Sequence, residues 1–121
     1  MGWIMLIEFK DDGVLEDCLR VRWHPTLIQV LNWIVENFRD VTITEGWREG
    51  GPKDVHCTDP LRAFDMRSWV FPEPEFVETK INRAWIYDKK RPLMQVANLH
   101  DSGQGIHLHI QIHPNTVKAV Y

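Results

Sequence analysis

The sequence predicts an α+β domain, a small antiparallel sheet flanked by helices, and three features carry that expectation. Two segments repeat apolar residues at helical spacing, one alternates apolar and polar residues without a break, and turn signals separate them. The resulting order is β, α, β, β, α, β, β, which suits an antiparallel sheet with helices packed on it. At 121 residues the chain makes one domain, since domains commonly run to about 100–150 residues.

Residues 3–9 read as a strand ended by the Asp11-Asp12-Gly13 turn signal. A helix should begin at His24-Pro25, because proline is tolerated in a first turn whose N–H groups lack partners anyway. Leu27, Leu31, Ile34, Val35 and Phe38 then share one apolar face, and residues 37–40 close it. Residues 41–44 form a short strand that delivers Glu45-Gly46-Trp47-Arg48. Residues 49–60 hold two glycines and two prolines and read as an irregular loop, followed by a strand over 61–67. A second helix follows Pro72 and Pro74, with Val77, Ile81, Ala84 and Trp85 on one face. Residues 93–99 and 106–112 are strands joined by the hairpin signal Asp101-Ser102-Gly103-Gln104-Gly105.

Composition narrows the function. The chain is 44% hydrophobic and 26% charged, as globular proteins are, and a core of this size gains usefully from a bound metal. A net charge of −3 without a basic stripe argues against a nucleic-acid partner. Cys18 and Cys57 make no disulfide framework and read as free thiols. The apolar start lacks a basic flank and nothing approaches transmembrane length, so cytoplasmic synthesis without a signal peptide and no membrane partner are expected.

The last strand is the most informative segment. Ile106, Leu108, Ile110 and Ile112 fall on one face and His107, His109, Gln111 and His113 on the other. His107 and His109 stand about 7 Å apart along it, at ~3.3 Å per residue. Such a pair can share one metal, or supply one ligand and a neighbouring proton donor. A catalytic zinc takes three His, Asp or Glu ligands and keeps one open position, and the segment from His56 to Asp65 offers both its end residues. Asp65 lies between Phe64 and Met66, where an unpaired carboxylate would be costly. It needs either a metal or a cation, with Arg67, Arg62 and Arg48 as candidates. Cys57, beside His56, is a weaker candidate ligand.

Three runs, Thr44-Glu45-Gly46-Trp47-Arg48, His56…Arg62-Ala63-Phe64-Asp65-Met66-Arg67 and His107-Leu108-His109, together resemble the signature of the zinc D-Ala-D-Ala peptidases. That group shares its fold with Hedgehog signalling domains and includes phage endolysins. The resemblance covers about 65 residues in the family's order. It implies that His56, Asp65 and His109 bind Zn2+, that Arg48 contacts the substrate carboxylate or the oxyanion, and that His107 sits by the metal as a proton donor. The implied partner is a peptidoglycan peptide and the implied activity is carboxypeptidase or endopeptidase cleavage of it, at the cell wall after phage-type release. Three departures stand out: Asp59-Pro60 lengthens the His–Asp spacing, Glu45 replaces the family's serine, and Ile106 stands where some members carry a general-base Glu. His107 is the first candidate for that base, followed by Glu45, Glu49 and Asp101.

Two other classes remain in view. The run from Gly103 to Ile112 also resembles the strand of histidine-triad nucleotide hydrolases and transferases, which leaves His56, Asp65 and Arg48 unexplained. A cupin-type site lacks its downstream Glu. A zinc-stabilised binding module without activity is the third class. For the remaining conspicuous residues, core or half-buried roles are expected for Trp47, Trp69 and Trp85, a helix start for His24, surface positions for His100 and His113, and a carboxylate partner for Arg67.

Overall fold

The computed structural model describes residues 7–101 and 105–120. Its elements run β1 (Ile7–Phe9), α1 (Asp12–Cys18), α2 (Pro25–Phe38), β2 (Val41–Glu45), β3 (Ala63–Arg67), α3 (Pro74–Ala84), β4 (Trp85–Ile86), β5 (Ala97–Asp101), β6 (Ile106–Gln111) and β7 (Val117–Lys118). The expected α+β class holds. A five-stranded sheet has the order β1-β2-β3-β6-β5, and β4 pairs with β7 in a separate ribbon.

The sheet is antiparallel from β2 to β5, but β1 joins β2 in parallel. A parallel neighbour requires a crossover, and α1 with α2 provides it. Helix α1 stands where the sequence suggested a turn. Asp11 caps it, its Oδ1 accepting from Val14 N at 2.9 Å, so the Asp-Asp-Gly run starts a helix and ends the strand at once. Of the first expected strand, residues 3–6 lie outside the described residues, as do residues 102–104 of the expected hairpin turn. The strands flanking that turn are paired as far as Asp101 and Ile106.

Helix α2 follows the sequence pattern closely. Pro25 sits in its first turn, and His24 Nδ1 accepts from Thr26 N at 3.1 Å as the N-cap. Leu27, Val30, Leu31, Ile34 and Val35 are buried. They meet Ile43, Phe64, Met66, Leu108 and Ile110 on one face of the sheet, with Val77 and Ile81 of α3 completing the core. Trp23 stacks on Phe64 with ring centroids 5.7 Å apart. Helix α3 ends one residue earlier than its apolar pattern suggests: Trp85 turns extended, begins β4 and remains buried. Residues 93–96 are not a strand, and Leu93 is almost fully exposed.

Helix α3 also lies along the outer edge of β5. Asn82 Nδ2 donates to Ala97 O at 2.8 Å and its Oδ1 accepts from Ala97 N at 2.9 Å. Glu78 Oε2 accepts from Leu99 N at 2.6 Å.

Opposite the core, pairing register lines up the polar side chains. Asp65 stands beside His109 and His109 beside Asn98; in the next row come Arg67, His107 and His100. Directly paired antiparallel residues project to the same face, so a strip of ligand-type side chains crosses the sheet.

Candidate metal centre

Each of the three expected ligands comes from a different element. Asp65 is central in β3 and His109 central in β6, and backbone pairing alone brings them side by side. His56 comes from the irregular loop after β2. It is buried, and its backbone is fixed by Arg48 N donating to His56 O at 2.9 Å and by His56 N donating to Asp54 Oδ1 at 2.9 Å. Leu61, after the cis Asp59–Pro60 bond, is bridged to residues 22–24 and brings the chain back to β3.

The three side chains converge on one point. His109 Nδ1 lies 2.8 Å from Asp65 Oδ1, His56 Nε2 lies 3.2 Å from the same oxygen, and the two nitrogens are 3.3 Å apart. A tetrahedral zinc with bonds of about 2.0–2.1 Å spaces its ligands roughly 3.3 Å apart. The fit is close.

The far nitrogen of each ring is anchored. His56 Nδ1–H donates to Gly46 O at 2.7 Å, and His109 Nε2–H donates to Gln111 Oε1 at 3.1 Å. The Gln111 amide is itself oriented, its Nε2 donating to Gln95 O at 2.9 Å. Neutral imidazoles held this way turn lone pairs, not protons, toward Asp65. Two lone pairs and a carboxylate facing one another require a cation between them, either a proton or a metal. The His56–Asp65–His109 group can therefore hold a metal ion.

The titration behaviour expresses the same demand. Burial pushes the Asp65 carboxyl up, but hydrogen bonds and charge from His109 and His56 outweigh it and hold the group below its ordinary range. Burial pushes the His56 imidazole down, and the bond to Asp65, its charge and the Gly46 carbonyl together leave it raised. Asp65 thus finds its partners in histidines, and not in the arginines that the sequence offered. Arg67 lies over the Trp69 ring at 5.0 Å, and Arg48 pairs with Glu45 and Asp54 at 3.0 Å each.

The group opens on a cleft of about 500 Å³ whose walls include Arg48, Asn98, His100 and Gln111. Arg48 therefore shares the cleft with the metal group. His107 does not line it; it faces an adjoining depression of about 240 Å³ with Lys10, Asp17 and Glu45, and Asp65 borders both. Among the other candidates for a general base, Glu45 is held by Arg48, and Glu49 and Asp101 are exposed. Cys57 stands outside the three-residue group.

Sequence reasoning missed several contributors. The sequence puts Gln111 on the polar face without marking its role, and Gly46 acts through a backbone carbonyl. His100 is exposed as expected, yet it lines the mouth of the cleft. Trp69 corrects an expectation: it is 73% exposed, whereas Trp85 is buried and Trp47 half-buried. It lies just beyond β3, where the chain leaves the sheet before α3. His113 is half-buried beside the Tyr87 ring. Among the described residues, no helix is long and apolar enough to cross a membrane.

The chain matches no family model, no curated protein and no solved structure.

Proposed function

We propose that this chain is a zinc-dependent hydrolase of peptide bonds in bacterial peptidoglycan, acting as a carboxypeptidase or endopeptidase of the phage endolysin type. One observation carries the metal: His56 Nε2, Asp65 Oδ1 and His109 Nδ1 converge from three elements on the wall of an open polar cleft. The ordered motifs around Gly46-Trp47-Arg48, His56…Asp65 and His107-Leu108-His109 support the peptidoglycan substrate.

His56, Asp65 and His109 would hold the metal, which supplies a Lewis acid and lowers the pKa of water at its open position. The remaining work falls to the chain. The carbonyl of Gly46 and the amide of Gln111 hold the two rings in the ligating tautomer. Arg48 lines the same cleft, and in this reading its guanidinium stabilises the charge that develops on a substrate oxygen. Asn98 offers an amide across the sheet from His109. His107, one row away on the polar face, lines the adjoining depression and not this cleft, so the proton donor is not assigned to it.

The test is zinc content of the purified protein beside an Asp65→Ala variant, followed by digestion of purified peptidoglycan. One zinc per chain, lost in the variant, with release of new amino termini or free D-alanine, is the expected result. No zinc after reconstitution would overturn the proposal. Zinc without any released product would leave a metal-stabilised binding module.

A further inference from the structure

Arg48 lines the cleft, yet most of its donors face protein partners. Its Nη1 donates to both Glu45 carboxylate oxygens at 3.0 Å, its Nε to Asp54 Oδ2 at 3.0 Å and its Nη2 to Asp54 Oδ1 at 3.4 Å. Asp54 Oδ1 also accepts the His56 backbone N–H at 2.9 Å, while the Arg48 backbone N–H donates to His56 O at 2.9 Å. The chain on either side of the loop is thus joined twice, once through backbone and once through a guanidinium–carboxylate bridge. Beside these joints, Gly46 O accepts a hydrogen bond from His56 Nδ1–H. A side chain at Gly50 would collide with the Asp54 carboxylate and push it off this bridge.

We propose that Arg48 and Asp54 are positioning residues for the metal ligand His56: the guanidinium fixes Asp54, and Asp54 fixes the His56 backbone so that Nε2 meets Asp65 and His109. This rests on the metal reading above and goes beyond it, because it gives Arg48 a task other than substrate contact. The physical need is specific to His56. Asp65 and His109 are placed by a paired ladder, whereas His56 sits in a loop with no strand or helix to hold it. Ligands in a metal site must be held within a few tenths of an ångström by their supports, and loss of such a support commonly weakens metal binding about 10–100-fold. An ordinary exposed ion pair would do little; this one differs because Asp54 also accepts from the ligand's own backbone.

The experiment measures zinc affinity by chelator competition, and the visible spectrum of the cobalt-loaded protein, for the full chain and four variants. Asp54→Ala removes both contacts of the carboxylate, and Arg48→Lys leaves a cation that cannot bridge Glu45 and Asp54 as a fork. Asp54→Asn keeps an oxygen that can accept from His56 N–H. Arg91→Ala removes an ion pair with Asp88 away from both depressions and serves as the control. Expected are about 10–100-fold weaker zinc binding and an altered cobalt spectrum in Asp54→Ala and Arg48→Lys, recovery of most of the affinity in Asp54→Asn, and no change in Arg91→Ala. If Asp54→Ala does not fold, Arg48→Lys decides. Zinc affinities within twofold of wild type, with unchanged cobalt spectra, would overturn the proposal even if melting temperatures fell. A wild-type protein that binds neither metal would overturn the metal reading and this inference together.

Discussion

Asp65 and His109 occupy directly paired positions on adjacent strands, and their side chains meet at 2.8 Å on the polar face of the sheet. His56 closes the triangle from a loop. This arrangement has a pH signature in the metal-free protein. Asp65 is held below its ordinary value of 3.8, so its contribution to stability is complete above that value and is lost as pH falls through the folded pKa. His56 is raised above 6.5, so its contribution is complete below that value and is lost as pH rises through the folded pKa. Melting temperature of chelator-treated protein should therefore peak between the two values. Saturating zinc should abolish the decline on the alkaline side, because a metal needs deprotonated imidazoles. A metal-free melting temperature that climbs steadily from pH 6 to pH 8 would contradict the geometry.

Gln111 holds the ring of His109 in its ligating tautomer, and Gln95 O holds Gln111. Gln111→Ala should weaken zinc binding about 10-fold or more while leaving the fold intact, because the side chain is only half-buried. Zinc titration and circular dichroism check the two halves of that statement. Equal affinity in variant and wild type would remove Gln111 from the site.

Gly46 is required by close approach. A side chain there would strike Cys18 Sγ, and the Gly46 carbonyl is the partner of His56 Nδ1. Gly46→Ala should cost about 1–3 kcal/mol of stability, the usual range for overpacking, and weaken zinc binding as the carbonyl shifts. Adding Cys18→Ala should restore much of both, since the colliding sulfur is gone. Denaturant melts of the single and double variants measure the effect; failure of the second substitution to help would place the strain elsewhere.

The two cysteines should differ sharply in reactivity. Cys18 is buried, and burial with the nearby Asp17 charge pushes its thiol up to about 11. Cys57 is half-exposed. Alkylation of native protein at pH 8 should therefore label Cys57 first and Cys18 only after unfolding, which peptide mapping by mass spectrometry would read. Equal labelling would show that the contact of α1 with Gly46 opens readily.

Helix α2 was legible because its apolar spacing, proline and capping histidine agree with one another. The β6 strand was legible because alternation over Ile106–Gln111 admits one face for His107 and His109. Asp65 was marked by its carboxylate among apolar neighbours, but its partners depend on strand register, which no local pattern encodes. The Gly46 carbonyl carries no side-chain signature at all, so its grip on His56 was invisible. The two-residue strands β4 and β7 exist through long-range pairing, and intrinsic preference over two positions is too weak to announce them. Helix α1 was missed because Asp-Asp-Gly serves a turn and a helix cap equally well.

The border of β5 beside the cleft has a consequence for recognition. Its outward N–H and C=O at Ala97 and the N–H at Leu99 are already answered by Asn82 and Glu78. An arriving peptide finds no open ladder there to extend, so it cannot dock at those positions by becoming one more strand. In the proposed reading, selectivity then comes from functional groups on the substrate meeting Arg48, Asn98 and His100. The same three groups are closed to strand pairing with a second copy of the chain.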